Sequence, residues 1–250
     1  MGATNITSLL YDAALALFYP QPCAVCGASV ESRFDGVACT GCWNETRVFD
    51  GTEILCWKCG ALSLAGIAPE QREEVRCRRC DSAAFTAARA CGLYEGALRA
   101  CTLALKRQPH ITRRIAASMF GSYQRAPLNR ATRIVPVPLH PEREKVCGFN
   151  QAAVLARELS RRARLPLCDK RLIRTAHTAL HRGGMDAQAR RESVENVFAV
   201  RRPEAISGER ILLVDDVFTT GATVSACASV LLAAGAKEVL VLTVARPADA

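Results

Sequence analysis

No run of about 18 consecutive apolar residues occurs anywhere in the 250-residue chain, so no segment reads as a membrane span. Glycine and proline (16 and 11) are too few for a fibrous or low-complexity protein. A disordered chain is excluded by the opposite feature: half the residues are apolar and the 23% that are charged carry both signs. What remains is a chain able to bury a sizeable core as one or two domains. The N-terminal apolar stretch (Leu9, Leu10, Ala13, Ala14, Leu17, Phe18) lacks a preceding basic residue, and Asp12 interrupts it. Residues 1–20 therefore read as an amphipathic helix rather than an export signal, and a cytoplasmic location is expected. Histidine is scarce too: His110, His140, His177 and His181 are the only four, and none sits at triad or metal-ligand spacing.

Cysteine is the residue in excess. Eight of the thirteen form four Cys-x-x-Cys pairs: Cys23/Cys26, Cys39/Cys42, Cys56/Cys59 and Cys77/Cys80. Without an export signal, metal is the expected use, and a redox pair the lesser alternative because no βαβ pattern surrounds any of them. Two such turns can complete a tetrahedral four-thiolate site, which leaves no open coordination position and is structural. Glycine follows the first and third pairs (Gly27, Gly60) and not the second and fourth. That alternation suggests two successive zinc ribbons, pair one with two and three with four, although the spacing also permits interleaved ligation. The remaining cysteines (Cys91, Cys101, Cys147, Cys168, Cys227) are expected to be small buried hydrophobes.

The net charge of +9 is uneven. Residues 1–85 hold 7 Lys and Arg against 10 Asp and Glu, and ionised metal thiolates would make this head more acidic still. Residues 106–174 hold 16 basic against 4 acidic residues. Arg161, Arg162, Arg164, Lys170 and Arg171 are the candidates there for contact with a polyanion such as single-stranded DNA. Solvated arginine-rich helix faces explain the same run equally well, and few aromatics interleave it for base stacking.

The most informative segment is Ile211-Leu-Leu-Val-Asp-Asp-Val-Phe-Thr-Thr-Gly-Ala-Thr223. Ile211, Leu212, Leu213 and Val214 read as a buried strand followed by the acids Asp215 and Asp216. Thr219, Thr220, Gly221, Ala222 and Thr223 then open a helix that ends before Gly235, and residues 237–244 read as the next buried strand. This is a βαβ unit of the open parallel-sheet kind. A helix N-terminus after a Thr/Gly turn offers amides, hydroxyls and a positive dipole to a phosphate. The paired acids would repel phosphate but can accept hydrogen bonds from sugar hydroxyls, directly or with Mg2+ nearby. Phosphate at the turn and diol at the acids describe a ribose 5-phosphate.

This stretch resembles the phosphoribosyl-diphosphate (PRPP) signature of type I phosphoribosyltransferases. Upstream lie Arg133-Ile-Val-Pro-Val-Pro-Leu-His140, Gly148-Phe-Asn-Gln151, a helix over residues 150–164, and Arg190, Arg191, Asn196, Val197 and Phe198. With the four cysteine pairs, the pattern is similar to the ComF family, ComFC included. That resemblance implies an α/β fold: a type I phosphoribosyltransferase-like parallel sheet flanked by helices over residues 86–250, with a small double zinc-ribbon domain at 21–85. It further implies that Asp215 and Asp216 hold the ribose hydroxyls and that the Thr219–Thr223 turn cradles the 5-phosphate. Pro136, Val137, Pro138 and Leu139 would form a pyrophosphate loop near His140, with Lys106, Arg143 and Lys145 as candidate clamps. Cofactors would be two structural zinc ions and Mg2+ with PRPP. Family members are linked to uptake of transforming DNA in natural competence. Three readings follow: a DNA-uptake factor binding PRPP and single-stranded DNA, an active transferase of unknown acceptor, and a zinc-ribbon adaptor for a partner such as a helicase. Two positions depart from the family pattern: Cys147 stands where relatives carry arginine, and Thr178-Ala-Leu-His181 stands where they often read Thr-Pro-x-Gln.

Overall fold

The computed structural model describes residues 20–32, 36–63, 75–175 and 197–248. The expected N-terminal helix, and the stretch that holds His177, Thr178, His181, Arg190, Arg191 and Asn196, lie outside these. Among the described residues no helix is long and apolar enough to cross a membrane.

A four-stranded parallel sheet organises the chain. After a short helix α1 (Thr40–Glu45) come β1 (Ala87–Ala90), α2 (Gly96–Leu105), α3 (Arg113–Gln124), β2 (Arg133–Pro136), α4 (Pro141–Cys147) and α5 (Gln151–Ala163). The chain continues through β3 (Leu172–Arg174), β4 (Phe198–Val200), β5 (Arg210–Val217), α6 (Ala222–Ala233) and β6 (Glu238–Ala245). The sheet order is β1-β6-β5-β2, while β3 and β4 form a separate antiparallel pair. A single parallel bridge between Ile134 and Leu167 adds a minimal fifth strand outside β2.

The central strands are buried on both faces, as their unbroken apolar runs require. Successive residues of a strand point to opposite faces. Leu212, Val214, Leu240 and Leu242 meet Leu155, Ala156 and Leu159 of α5, with Leu98 of α2 and Ile115 of α3. Ile211, Leu213, Val239 and Val241 meet Val224, Cys227, Ala228 and Leu231 of α6, together with Phe198 of β4. Each fully buried Leu, Ile or Val here contributes about 2 kcal/mol by leaving water.

The cysteine-rich head divides between these two cores. Cys23, Cys39, Cys42 and Trp43 pack on the face shared with α2, and Cys56, Cys59 and Cys80 on the face shared with α6. Between them the chain crosses the sheet edge, where the Phe49 amide donates to the Cys91 carbonyl and the Leu93 amide to the Arg47 carbonyl.

Candidate functional site

Each four-cysteine group is built from two turns. Cys23, Cys26, Cys39 and Cys42 converge, as do Cys56, Cys59, Cys77 and Cys80, with all sulfurs of a group within 4.8 Å of one another. The pairing is the sequential one. Individual Sγ–Sγ distances are 3.8 Å for Cys23–Cys42, 3.6 Å for Cys26–Cys39, 3.7 Å for Cys56–Cys80 and 3.4 Å for Cys59–Cys77. Four sulfurs at about 2.3 Å from one centre would be spaced by about 3.8 Å, so both groups fit a tetrahedral thiolate-bound ion.

The glycine-marked turns share one pattern. Gly27 and Gly60 have φ of +79° and +69°, and their amides donate to the carbonyls of Cys23 and Cys56 at 2.9 Å. Amides also approach sulfur: Val25 and Cys39 reach Cys23 Sγ at 3.4 and 3.3 Å, and Cys77 reaches Cys56 Sγ at 3.3 Å. Burial pushes the Cys23 thiol up, but the amides of Cys26, Cys39 and Val25 outweigh it and bring it down to about 6. The Cys59 thiol, joined by the amides of Cys59, Cys77 and Lys58, overcomes burial and holds Cys56 down to about 3. In each group these one-sulfur gains are matched by rises at the neighbours: Cys42 is held up by its hydrogen bond with Cys26, Cys59 by its hydrogen bond with Cys56, and Cys80 by burial. A bound cation is what would ionise all four sulfurs together.

The strand–turn–helix carries the second candidate site. Asp215 and Asp216 lie inside β5 rather than after it, Asp215 opposite Thr243 of β6. Asp215 Oδ1 accepts from the Asp216 amide at 2.9 Å, and Asp216 Oδ1 from the Val217 amide at 2.7 Å. Lys106, just beyond α2, reaches Asp216 Oδ2 at 3.7 Å. Burial, and then the charge of Asp216, raise the Asp215 carboxyl well above the usual carboxylate range, with Lys106 opposing them.

Phe218 turns inward, its ring edge-on to Phe85 at 5.9 Å, and leaves Thr219 and Thr220 exposed. Gly221 caps α6 at φ +76°, and any Cβ there would lie 2.7 Å from the Phe218 ring, so only glycine fits. The Thr220 hydroxyl accepts from the Ala222 amide at 3.4 Å. The first turn of α6 therefore presents its remaining amides beside two threonines and Thr223.

The Pro136–Leu139 stretch lies alongside. Pro136 is paired with Val214, the Val137 amide donates to the Val214 carbonyl at 2.9 Å, and the Asn150 side chain donates to the Val137 carbonyl at 3.0 Å. After β2 the chain passes to α5 on one face of the sheet, and after β5 to α6 on the other. The two loops thus flank a topological switch point, where open parallel sheets bind ligands.

Of the clamp candidates, only Lys106 is brought to the acids. Arg143 and Lys145 lie on α4, whose Pro141–Val146 surface is exposed, and His140 caps that helix by accepting from the Glu142 amide. On α5, Arg161 and Arg162 both pair with Glu158, at 2.7 and 2.5 Å, and Arg157 pairs with Asp169 at 3.5 Å. Residues 157–171 still hold six basic against two acidic side chains, with Arg161, Arg164 and Lys170 exposed.

Two arginines escaped the sequence reading. Arg246, 1% exposed, donates from Nη1 to the Cys59 carbonyl at 2.6 Å and stacks over Phe218 at 5.3 Å. It joins the second cysteine group to the turn after β5. Arg89 in β1 donates to the carbonyls of Trp57 and Ala88 at 2.9 and 2.8 Å. The available signal was an arginine set into or directly after an apolar strand, where a charge needs a specific partner.

Comparison with known proteins adds to this geometry. Residues 146–250 match the family model described as phosphoribosyl transferase domain. Competence protein F of Haemophilus influenzae is 38% identical over 115 residues, 45% of this chain and 49% of that protein. DNA utilization protein YhgH of Escherichia coli K12 is 37% identical over 114 residues, covering 46% and 49%. Competence protein ComFC of Bacillus subtilis is 33% identical over 106 residues, covering 41% and 39%. The matched stretch spans about half the length of the first two of these relatives. Among solved structures, an allosteric regulatory enzyme of purine biosynthesis aligns with 57% of this chain at a TM-score of 0.38 and 19% identity, covering 30% of that enzyme. The parallel sheet, the helices on both its faces and the family-model match define the fold.

Proposed function

We propose that this chain is a ComF-family protein that serves DNA uptake and carries a pocket for PRPP or another ribose 5-phosphate. The observation that carries this reading is the placement of Asp215 and Asp216 beside the first turn of α6, at the switch point between β2 and β5. The first turn of α6 and the Thr219, Thr220 and Thr223 hydroxyls receive the 5-phosphate. Asp215 and Asp216 accept hydrogen bonds from the ribose hydroxyls, and Pro136, Val137, Pro138 and Leu139 line the side that pyrophosphate would occupy. Mg2+ would neutralise pyrophosphate charge, and Lys106 supplies a cation at the acids. Two zinc ions, one per cysteine group, hold the head together without taking part in chemistry. The exposed arginines after and along α5, with Lys170 and Arg171, offer single-stranded DNA a salt-sensitive surface.

Calorimetry with PRPP and Mg2+ tests this reading. Heat is expected from the natural sequence and at least a tenfold weaker affinity from Asp215→Asn/Asp216→Asn; silence from the natural sequence removes the reading. The raised carboxyl of Asp215 sets the pH dependence. Sugar hydroxyls and Mg2+ favour the ionised pair, so affinity should rise with pH until Asp215 has lost its proton and then level off. Stability runs the other way: an acid whose folded pKa is raised loses stability as pH climbs from its ordinary value to the raised one, and the loss is complete above that. Asp215→Asn should therefore raise stability at neutral pH by about 1 kcal/mol while weakening the ligand. A second reading, turnover to an acceptor, would use Lys106, the one cation at the acids among the clamp candidates, and is read by pyrophosphate release with DNA among the acceptors tried.

A further inference from the structure

A cavity of about 340 Å³ lies away from the Asp215–Thr223 turn, between the 50–53 turn of the head and the end of α3. Two guanidinium groups line it, Arg89 from β1 and Arg125 at the end of α3. Arg89 spends one nitrogen, Nη1, on the carbonyls of Trp57 and Ala88. Arg125 spends Nη2 on the Phe49 carbonyl at 3.1 Å and the Ser122 hydroxyl at 2.9 Å. Among the described residues neither has an ion-pair partner, and Nε and one further nitrogen of each are left to donate. The carboxylate that lines the cavity, Glu53, already accepts from the amides of Asp50 and Gly51 at 3.0 Å. Asp50, which the Arg125 charge also reaches, accepts from the amide and hydroxyl of Thr52.

Two like charges that share a recess repel each other, since Glu53 and Asp50 are engaged with backbone amides and ion-pair with neither, and burial adds to the cost. Burial and then, after the opposing sulfur charges of Cys56 and Cys59, the charge of Arg125 act on Arg89, which is held below its ordinary value. An anion bound between them relieves both effects, and guanidinium forks match phosphate oxygens in geometry. The rest of the wall is apolar, with Leu55, Pro127 and the Trp57 indole, whose ring is backed by Arg76 at 5.0 Å. The volume falls in the range of small-molecule pockets, about 300–1,000 Å³, and exceeds what a bare ion fills. Gly51 keeps the entrance open: at φ +103°, a Cβ there would lie 2.9 Å from Arg125 Cδ.

We propose that this cavity is a second anion site that takes a 5′-phosphorylated nucleoside, its phosphate between Arg89 and Arg125 and its flat apolar ring against Trp57. The source is a free mononucleotide or the terminal nucleotide of a DNA strand. The inference stands apart from the sugar-phosphate reading of the β5 turn and survives if that reading fails.

The test is calorimetric titration of the full-length, metal-loaded protein with 5′-dAMP, in the natural sequence and in Asp215→Asn/Asp216→Asn. Binding is expected in both, with no heat from deoxyadenosine, which lacks the phosphate. Arg89→Gln and Arg125→Gln should each weaken binding at least tenfold. Because Arg125 also holds the Phe49 carbonyl, Ala126→Phe serves as a second variant: it fills the recess from an exposed position and leaves both arginines in place. It should abolish binding with metal content and melting temperature unchanged. Competition by a 5′-phosphorylated oligonucleotide, and not by its 5′-hydroxyl twin, identifies the strand end as source; failure of both to compete identifies the free nucleotide. No dAMP binding by the natural sequence, binding that persists in Ala126→Phe, or binding lost only in the Asp215/Asp216 variant overturns the proposal.

Discussion

The two cysteine groups have the same local design and opposite attachments. Both begin with a Cys-x-x-Cys-Gly turn in a small hairpin, and both gather their sulfurs into one tetrahedron. The first lies against helix. One hydrogen-bonded link to the body runs through Thr46, whose hydroxyl donates to the Cys42 carbonyl and accepts from the Ala97 amide of α2. Cys26, at the far side, is exposed. The second is fastened to strand. The Ala88 amide of β1 donates to the Lys58 carbonyl, Arg89 holds the Trp57 carbonyl and Arg246 the Cys59 carbonyl. One group therefore steadies a helix, while the other closes the exposed edge of the parallel sheet, which would otherwise present unpaired backbone.

Metal removal should separate them most sharply. Structural four-thiolate sites contribute about 10 kcal/mol or more to the folding of the unit that contains them. Cys59→Ser is expected to speed hydrogen exchange in β1 and β6 and to lower the melting temperature of the whole sheet. Cys26→Ser should speed exchange in α1 and α2 and leave β6 protected. Equal loss of protection in β6 from both variants would erase the distinction between edge closure and helix support.

A smaller effect, with the same logic, belongs to the two turn glycines. Both have positive φ, so alanine costs about 1 kcal/mol at either. At Gly27 nothing lies within 4 Å of the added Cβ, whereas at Gly60 it would sit 2.6 Å from the Ala88 carbonyl oxygen. Backbone cannot move aside as a side chain can, so Gly60→Ala should cost about 3 kcal/mol in all and Gly27→Ala only the first part. Denaturant unfolding of the two variants reads the difference; equal midpoints would mean that the second turn does not press on β1 as described.

This asymmetry also marks how far the sequence could be read. The sequential sulfur pairing was suggested, with interleaved ligation left open, because glycine follows only the turns that need a positive φ. The β5–turn–α6–β6 unit was legible because its strands are continuous apolar runs, and the helix and second strand shifted by only a few residues at their ends. Asp215 and Asp216 were misplaced by one step. Two acids looked like the end of the strand, yet pairing with β6 continues through Val217 because their carboxylates are satisfied by the amides that follow them. β1 was illegible: Ala-Ala-Arg-Ala has little strand propensity, and it is extended because β6 lies on one side and the 57–60 turn on the other. The division of the head between both faces of the sheet leaves no periodic trace at all, since it depends on contacts made across more than a hundred residues of chain.

The smallest predicted effect tests the link that only the second group has. Arg246 joins the Cys59 carbonyl to the Phe218 ring, and burial pulls its pKa down while the sulfurs of Cys59, Cys77 and Cys56 hold it up. Arg246→Lys keeps the positive charge and the stem but loses the planar fork that reaches a carbonyl and stacks on a ring at once. The backbone bonds of residue 246, its amide to the Gly92 carbonyl and its carbonyl from the Tyr94 amide, are untouched by the change. The cost should be about 1 kcal/mol and should fall on one side of the molecule. Metal release to a chelator is expected to quicken severalfold from the second group and not from the first, and the turn after β5 should exchange faster because Phe218 has lost its cover. Equal quickening at both groups would mean that Arg246 supports the sheet as a whole. No change at either would mean that the Cys59 carbonyl is held by its own turn and that the β5 turn is independent of the metal beneath it.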